Sequence, residues 1–153
     1  MGNTCKKKGV DKLDMKETDD LQQELMETAD LDHFLRENRD QFCSRTGAQA
    51  LQELFDTRQL SKAALAKRSG MSEVYLHQLF SARRKPTRGR LLCICFGLQA
   101  TVDETQILLK ACGFAPLYVK NQREAIVLHC LNHKLSLPEA NEALLTRGFQ
   151  SLI

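Results

Sequence analysis

The sequence predicts an all-α protein, and three observations carry this. Apolar–polar alternation of period two never persists beyond a few residues, whereas apolar residues recur at spacings of three and four. The three prolines, Pro86, Pro116 and Pro138, each fall between helical patterns. Helix start signals recur down the chain: Ser61, Ser72, Thr101 and Ser136 each stand just ahead of an apolar-periodic run.

The elements follow in order. Residues 1–17 read as a disordered, basic N-terminus. Met1-Gly2-Asn3-Thr4-Cys5-Lys6 begins like a myristoylation signal, but Lys6 stands where that signal needs Ser or Thr. Residues 18–45 read as an acidic helical arm. A helix over 18–29 opens with Thr18 as N-cap and carries Leu21, Leu25 and Met26 on one face. A second, over 30–42, carries Leu31, Phe34, Leu35 and Phe42. The arm fits a core element, an autoinhibitory one or a partner-binding one.

Gly47 introduces a helix over 48–58 with Leu51, Leu54 and Phe55 on its apolar side. Ser61 caps Lys62–Arg68, and after Gly70, Ser72 caps Glu73–Ser81. Pro86-Thr87 starts a helix running to Leu98. Thr101-Val102-Asp103-Glu104 is a capping box for a helix that stops at Gly113. Glu124–Asn132 is helical, and Ser136-Leu137-Pro138-Glu139 is a second capping box opening a helix that ends at Gly148. A shift of 35 residues pairs Thr101 with Ser136, Glu104 with Glu139, Leu109 with Leu144, Gly113 with Gly148 and Cys95 with Cys130. The spacing predicts two copies of one helical hairpin, 91–118 and 126–153.

Charge is divided along the chain. Residues 11–45 hold eleven acids against five bases, and residues 58–90 hold nine bases against Glu73 alone. The second segment is suited to meet anions. Its short helix, in SGMSEVYLHQLFSARRKPTR, is followed directly by a knot of cations.

Leu65-Ala66, Gly70, Ser72, Tyr75-Leu76, Leu79 and the basic Arg84-Lys85-Pro86 together resemble the helix-turn-helix of lambda-repressor/Cro-like (Xre) regulators. The resemblance covers roughly residues 48–112 and implies a five-helix unit, so the chain reads as a helix-turn-helix domain over 46–118, preceded by the arm and followed by a C-terminal helical hairpin, 119–153, packed on it. It implies double-stranded DNA as partner, with Ser72, Glu73, Val74, His77 and Gln78 outward on a helix lying in the major groove. Gln78 suits adenine, and Ser72 or His77 suits base edges or phosphates. Lys62, Arg83, Arg84, Lys85 and Arg88 are the expected phosphate contacts. Lys62 departs from the glutamine usual in the family, and Glu73 turns an acid toward a polyanion.

Other chemistries are not expected. Six cysteines, four of them inside helical segments and with no Cys-x-x-Cys, read as reduced thiols. His129 and His133 have zinc-compatible spacing, but the carboxylate of a catalytic zinc helix is missing between them. No phosphate loop, nucleophile elbow or apolar carboxylate pair occurs, so neither an enzyme nor a cofactor is expected. With no apolar run of membrane length, the cytoplasm is the expected location. A homodimer partner or a regulatory protein is compatible with the arm, and the different-class alternative is a helical adaptor that binds protein and not DNA.

Overall fold

The computed structural model of the chain describes residues 18–39 and 46–152, all helix and connecting turns, with nine helices and no strand among them. The chain divides into two compact units, with the boundary between residues 44 and 45. The expected segment 1–17 and Phe42 lie outside the described residues.

The first unit contains α1 (Thr18–Glu27) and α2 (Leu31–Glu37). Asp30 caps α2 by accepting the His33 N–H at 3.1 Å. The Asn38 amide donates to Glu24 Oε2 at 2.7 Å and to the Phe34 carbonyl at 3.0 Å, tying the end of α2 to α1. Met26, Leu31 and Leu35 remain exposed and α1 buries nothing, so the apolar stripe read in the sequence is largely solvent-facing here.

The second unit contains α3 (Gly47–Asp56), α4 (Lys62–Ser69), α5 (Glu73–Phe80), α6 (Arg88–Gly97), α7 (Val102–Ala111), α8 (Gln122–Asn132) and α9 (Leu137–Leu145). Its core is organised around α6, whose residues Leu91 to Gly97 are all buried. A helix that is apolar on every side must be surrounded, and α4, α7 and α9 supply that surround. Gly97 makes the closest approach possible: a Cβ there would lie 2.9 Å from Leu65 Cδ1 and 3.2 Å from Ser69 Cβ. Full burial of leucines such as Leu65, Leu91 and Leu92 stabilises the unit by about 1.5–3 kcal/mol each.

The two hairpins α6–α7 and α8–α9 share a hydrogen-bond register at the 35-residue shift. Leu117 N–H donates to Gln106 Oε1 at 2.8 Å, and Leu152 N–H donates to Asn141 Oδ1 at 2.7 Å. Arg88 donates to the Ala115 and Pro116 carbonyls, and Arg123 donates to those of Gln150 and Ser151. Gln99 and Lys134 both turn through the left-handed region at φ 52° and 58°, and Gly113 and Gly148 both stand at φ 83°. Both capping boxes form. Neighbouring helices close the array, α7 against α8 and α6 against α9.

Candidate nucleic-acid interface

The site is built on the α4–turn–α5 unit. Ser61 Oγ accepts the Ala64 N–H at 3.0 Å and starts α4. Gly70 ends it at φ 71°, a conformation that carries no Cβ penalty only for glycine. Ser72 Oγ then accepts the Tyr75 N–H at 3.1 Å and starts α5. Tyr75, Leu76 and Leu79 are buried, which fixes the roll of α5 and turns its other side outward.

That outward side carries the expected reading residues. Glu73, Val74 and His77 are exposed, with Val74 at 67%, while Gln78 is half-buried. The Gln78 side-chain amide meets no partner among the described residues, whereas its carbonyl accepts the Arg83 N–H at 2.9 Å. Ser72 is exposed too, and its oxygen already serves as the N-cap, so only its hydroxyl hydrogen remains to donate outward.

The basic turn is held in a fixed relation to α5. Ala82 adopts φ 63°, and the Ala82 and Arg83 N–H groups return to the Leu79 and Gln78 carbonyls at 3.1 and 2.9 Å. This closes the helix C-terminus and projects Arg83, Arg84 and Lys85, all exposed. None of the three meets a carboxylate among the described residues. The Arg84 guanidinium lies 5.4 Å from the centre of the Tyr75 ring. Arg90, from the first turn of α6, lies 4.9 Å from the same centre. Ser72, Val74, Gln78, Arg84 and Arg90 line an open cleft of about 460 Å³ along the start of α5.

Two expected cations sit differently. Lys62 opens α4 and holds its ammonium 5.1 Å from the centre of the Phe80 ring, bracing the end of α5 by a cation–π contact. Arg88 does not fit the phosphate role expected of it. Its guanidinium donates to Glu124 Oε2 at 2.7 Å, to the Ala115 carbonyl at 3.1 Å and to the Pro116 carbonyl at 3.3 Å. Burial pulls the Glu124 carboxyl upward, but hydrogen bonds from Arg88 and the Tyr118 N–H outweigh that and hold it below the usual carboxylate range. Arg88 is a clamp between the two hairpins.

Arg90 was not among the expected phosphate contacts. A signal for it was present: the first turn of α6 contains Arg88 and Arg90 and no acid, against the preference of a helix N-terminus for negative charge. Such an arrangement asks for another use of both cations, and the structure gives each one.

The His129 and His133 rings lie 4.2 Å apart, but no described thiol or carboxylate joins them in a metal-binding group. Burial pushes the Cys93 and Cys95 thiols up to about 11 and about 12, so both stay neutral packing groups. Among the described residues no group of three or more His, Cys, Asp and Glu could hold a metal ion. No helix among them is long and apolar enough to cross a membrane.

Residues 33–108 match the model of the helix-turn-helix domain family. The matched stretch is just under half of the chain and takes in all of α3 to α6 and most of α7. Comparison with curated proteins gives no match, and comparison with solved structures gives none. Residues 33–108 thus resemble a helix-turn-helix domain.

Proposed function

We propose that this protein is a sequence-specific double-stranded DNA-binding transcriptional regulator of the helix-turn-helix type, a non-enzymatic one acting in the cytoplasm. In this reading α3–α7 is a five-helix unit of the lambda-repressor/Cro (Xre) type, and α5 lies in the major groove. One observation carries it. The outward face of α5 presents Ser72, Glu73, Val74, His77 and Gln78 beside Arg83, Arg84, Lys85 and Arg90, four cations with no carboxylate partner among the described residues. Neutral and weakly polar side chains read base edges while flanking cations neutralise phosphates, which divides specificity from affinity. Gln78 pairs with adenine, and the Val74 methyl groups suit a thymine methyl. Glu73 accepts from cytosine N4 or serves the first turn of α5.

The second reading is a helical adaptor that binds a protein. Val74 favours it, because a large apolar residue left 67% exposed on a helix face also suits a protein contact.

Selection of bound duplexes from a random pool, with wild type and Gln78→Ala in parallel, tests the proposal. A consensus should emerge from wild type, and the variant should lose about 1–3 kcal/mol of preference at one base position. No enriched sequence from wild type would reject DNA reading. An identical consensus from both proteins would reject readout by Gln78.

A further inference from the structure

Behind the basic turn lies a second cavity, of about 680 Å³. That is within the ~300–1,000 Å³ of small-molecule pockets. Its wall is apolar, formed by Leu51, Leu79, Ala111 and Phe114, and Arg84 and Lys85 stand on its lining. None of its described lining residues is acidic. Thr46, Gly47 and Ala48 also line it, so the start of α3 opens onto it. Thr46 Oγ1 accepts the Gln49 N–H at 3.1 Å and the Thr46 carbonyl accepts the Ala50 N–H at 3.0 Å. The N–H groups of Gly47 and Ala48 therefore have no acceptor among the described residues.

We infer that this cavity binds a small apolar carboxylate. The carboxylate is the part that answers Arg84, Lys85 and the positive end of α3. The tail is the part that removes the half-buried Ala111, Cys112 and Phe114 of the wall from water. A neutral apolar molecule leaves the cations unanswered, and a bare inorganic anion leaves the wall wet. The site also offers a route to regulation, and this part rests on the proposed DNA reading. Arg84 and Lys85 serve both the carboxylate and phosphate, while Leu79 and Ala82, at the end of α5, line the same cavity. The bound acid competes with DNA for two cations, which weakens duplex binding by about ten-fold or more at moderate salt.

The test is an amide NMR titration of the full chain with sodium decanoate at sub-millimolar concentration, with decanol as the uncharged control. Saturable shifts at Gly47, Ala48 and Gly113 are expected, with decanol at least ten-fold weaker. Ala48→Trp and Ala111→Phe, two independent plugs, should each abolish the decanoate shifts while keeping the native spectrum elsewhere. No saturable shift, equal binding of decanol, or unchanged binding in a natively folded plugged variant overturns the site. Duplex affinity is then measured with and without decanoate. A ten-fold loss supports the coupling, and unchanged duplex affinity overturns it. Absence of any duplex binding would reject the DNA reading and leave the titration to decide the site.

Discussion

The hairpins and the turn after α5 both carry arginines, and they use them in opposite ways. In and around the hairpins, Arg58 pairs with Glu104 and donates to the Leu98 carbonyl, Arg88 pairs with Glu124, and Arg123 donates to two carbonyls of the last segment. In the turn, the side chains of Arg83 and Lys85 meet no acceptor among the described residues, and the Arg84 guanidinium meets the Tyr75 ring. The first set closes helix ends and joins elements that are far apart in sequence. The second set remains open to an anion supplied from outside. A charge count along the chain treats the two sets alike, because what separates them is whether carbonyls and carboxylates of another element come within reach.

Removing cations one set at a time tests that separation, and the largest effect is expected at Arg88. Arg88→Ala breaks three contacts and leaves a largely shielded Glu124 carboxylate without its cation, at a cost of about 2 kcal/mol. A melting temperature lower by about 4–8 °C is the expected reading for a chain of this size. Arg123→Ala, its counterpart in the second hairpin, loses two carbonyl contacts and no carboxylate, so about 1 kcal/mol is expected. Equal losses at the two positions would mean that the Glu124 pair adds nothing to the clamp.

The same pair sets a pH dependence. Glu124 and Glu104 are both held below 4.5 in the folded chain, where burial works against them but the arginine and backbone hydrogen bonds prevail. The folded state therefore binds fewer protons than the unfolded state in that range. Their contribution is complete above about pH 4.5 and is lost as pH falls through the lowered folded values. Melting curves of wild type and Arg88→Ala should converge as pH falls through this range, and a constant gap would break the assignment.

The smallest effect is expected in the turn itself. Ala82→Gly removes a left-handed alanine and should stabilise by about 0.5–1 kcal/mol, read by chemical denaturation. Its denaturant midpoint should rise with the slope unchanged. A fall would show that the alanine side chain contributes packing there.

Much of this architecture was legible because it is set locally. Ser61, Ser72, Thr101 and Ser136 cap the helices they precede, and the glycines at 70, 113 and 148 take positive φ. The hairpin repeat was visible in caps and apolar positions, since both are written within a few residues. Three caps were overlooked although their patterns are local: Thr46 and Gln49 form a capping box, Asp30 caps α2 and Asn121 caps α8. Gly97 was not legible, because its role depends on Leu65 and Ser69 across another helix. Arg88 and Arg83 looked alike for the same reason, as the acceptors of Arg88 lie 27 or more positions away in the chain.

The central claim is that Arg83 and Arg84 face the phosphate backbone while Arg88 serves the fold. The salt dependence of duplex affinity tests it most directly, measured for wild type, the Arg83→Ala/Arg84→Ala double variant and Arg88→Ala. The double variant should keep its melting temperature, with a stability change within about 0.5 kcal/mol, and lower the slope's magnitude by about two units, one for each lost contact. Arg88→Ala should melt earlier and keep the wild-type slope. An unchanged slope in the double variant, or an equal flattening in Arg88→Ala, would contradict the account.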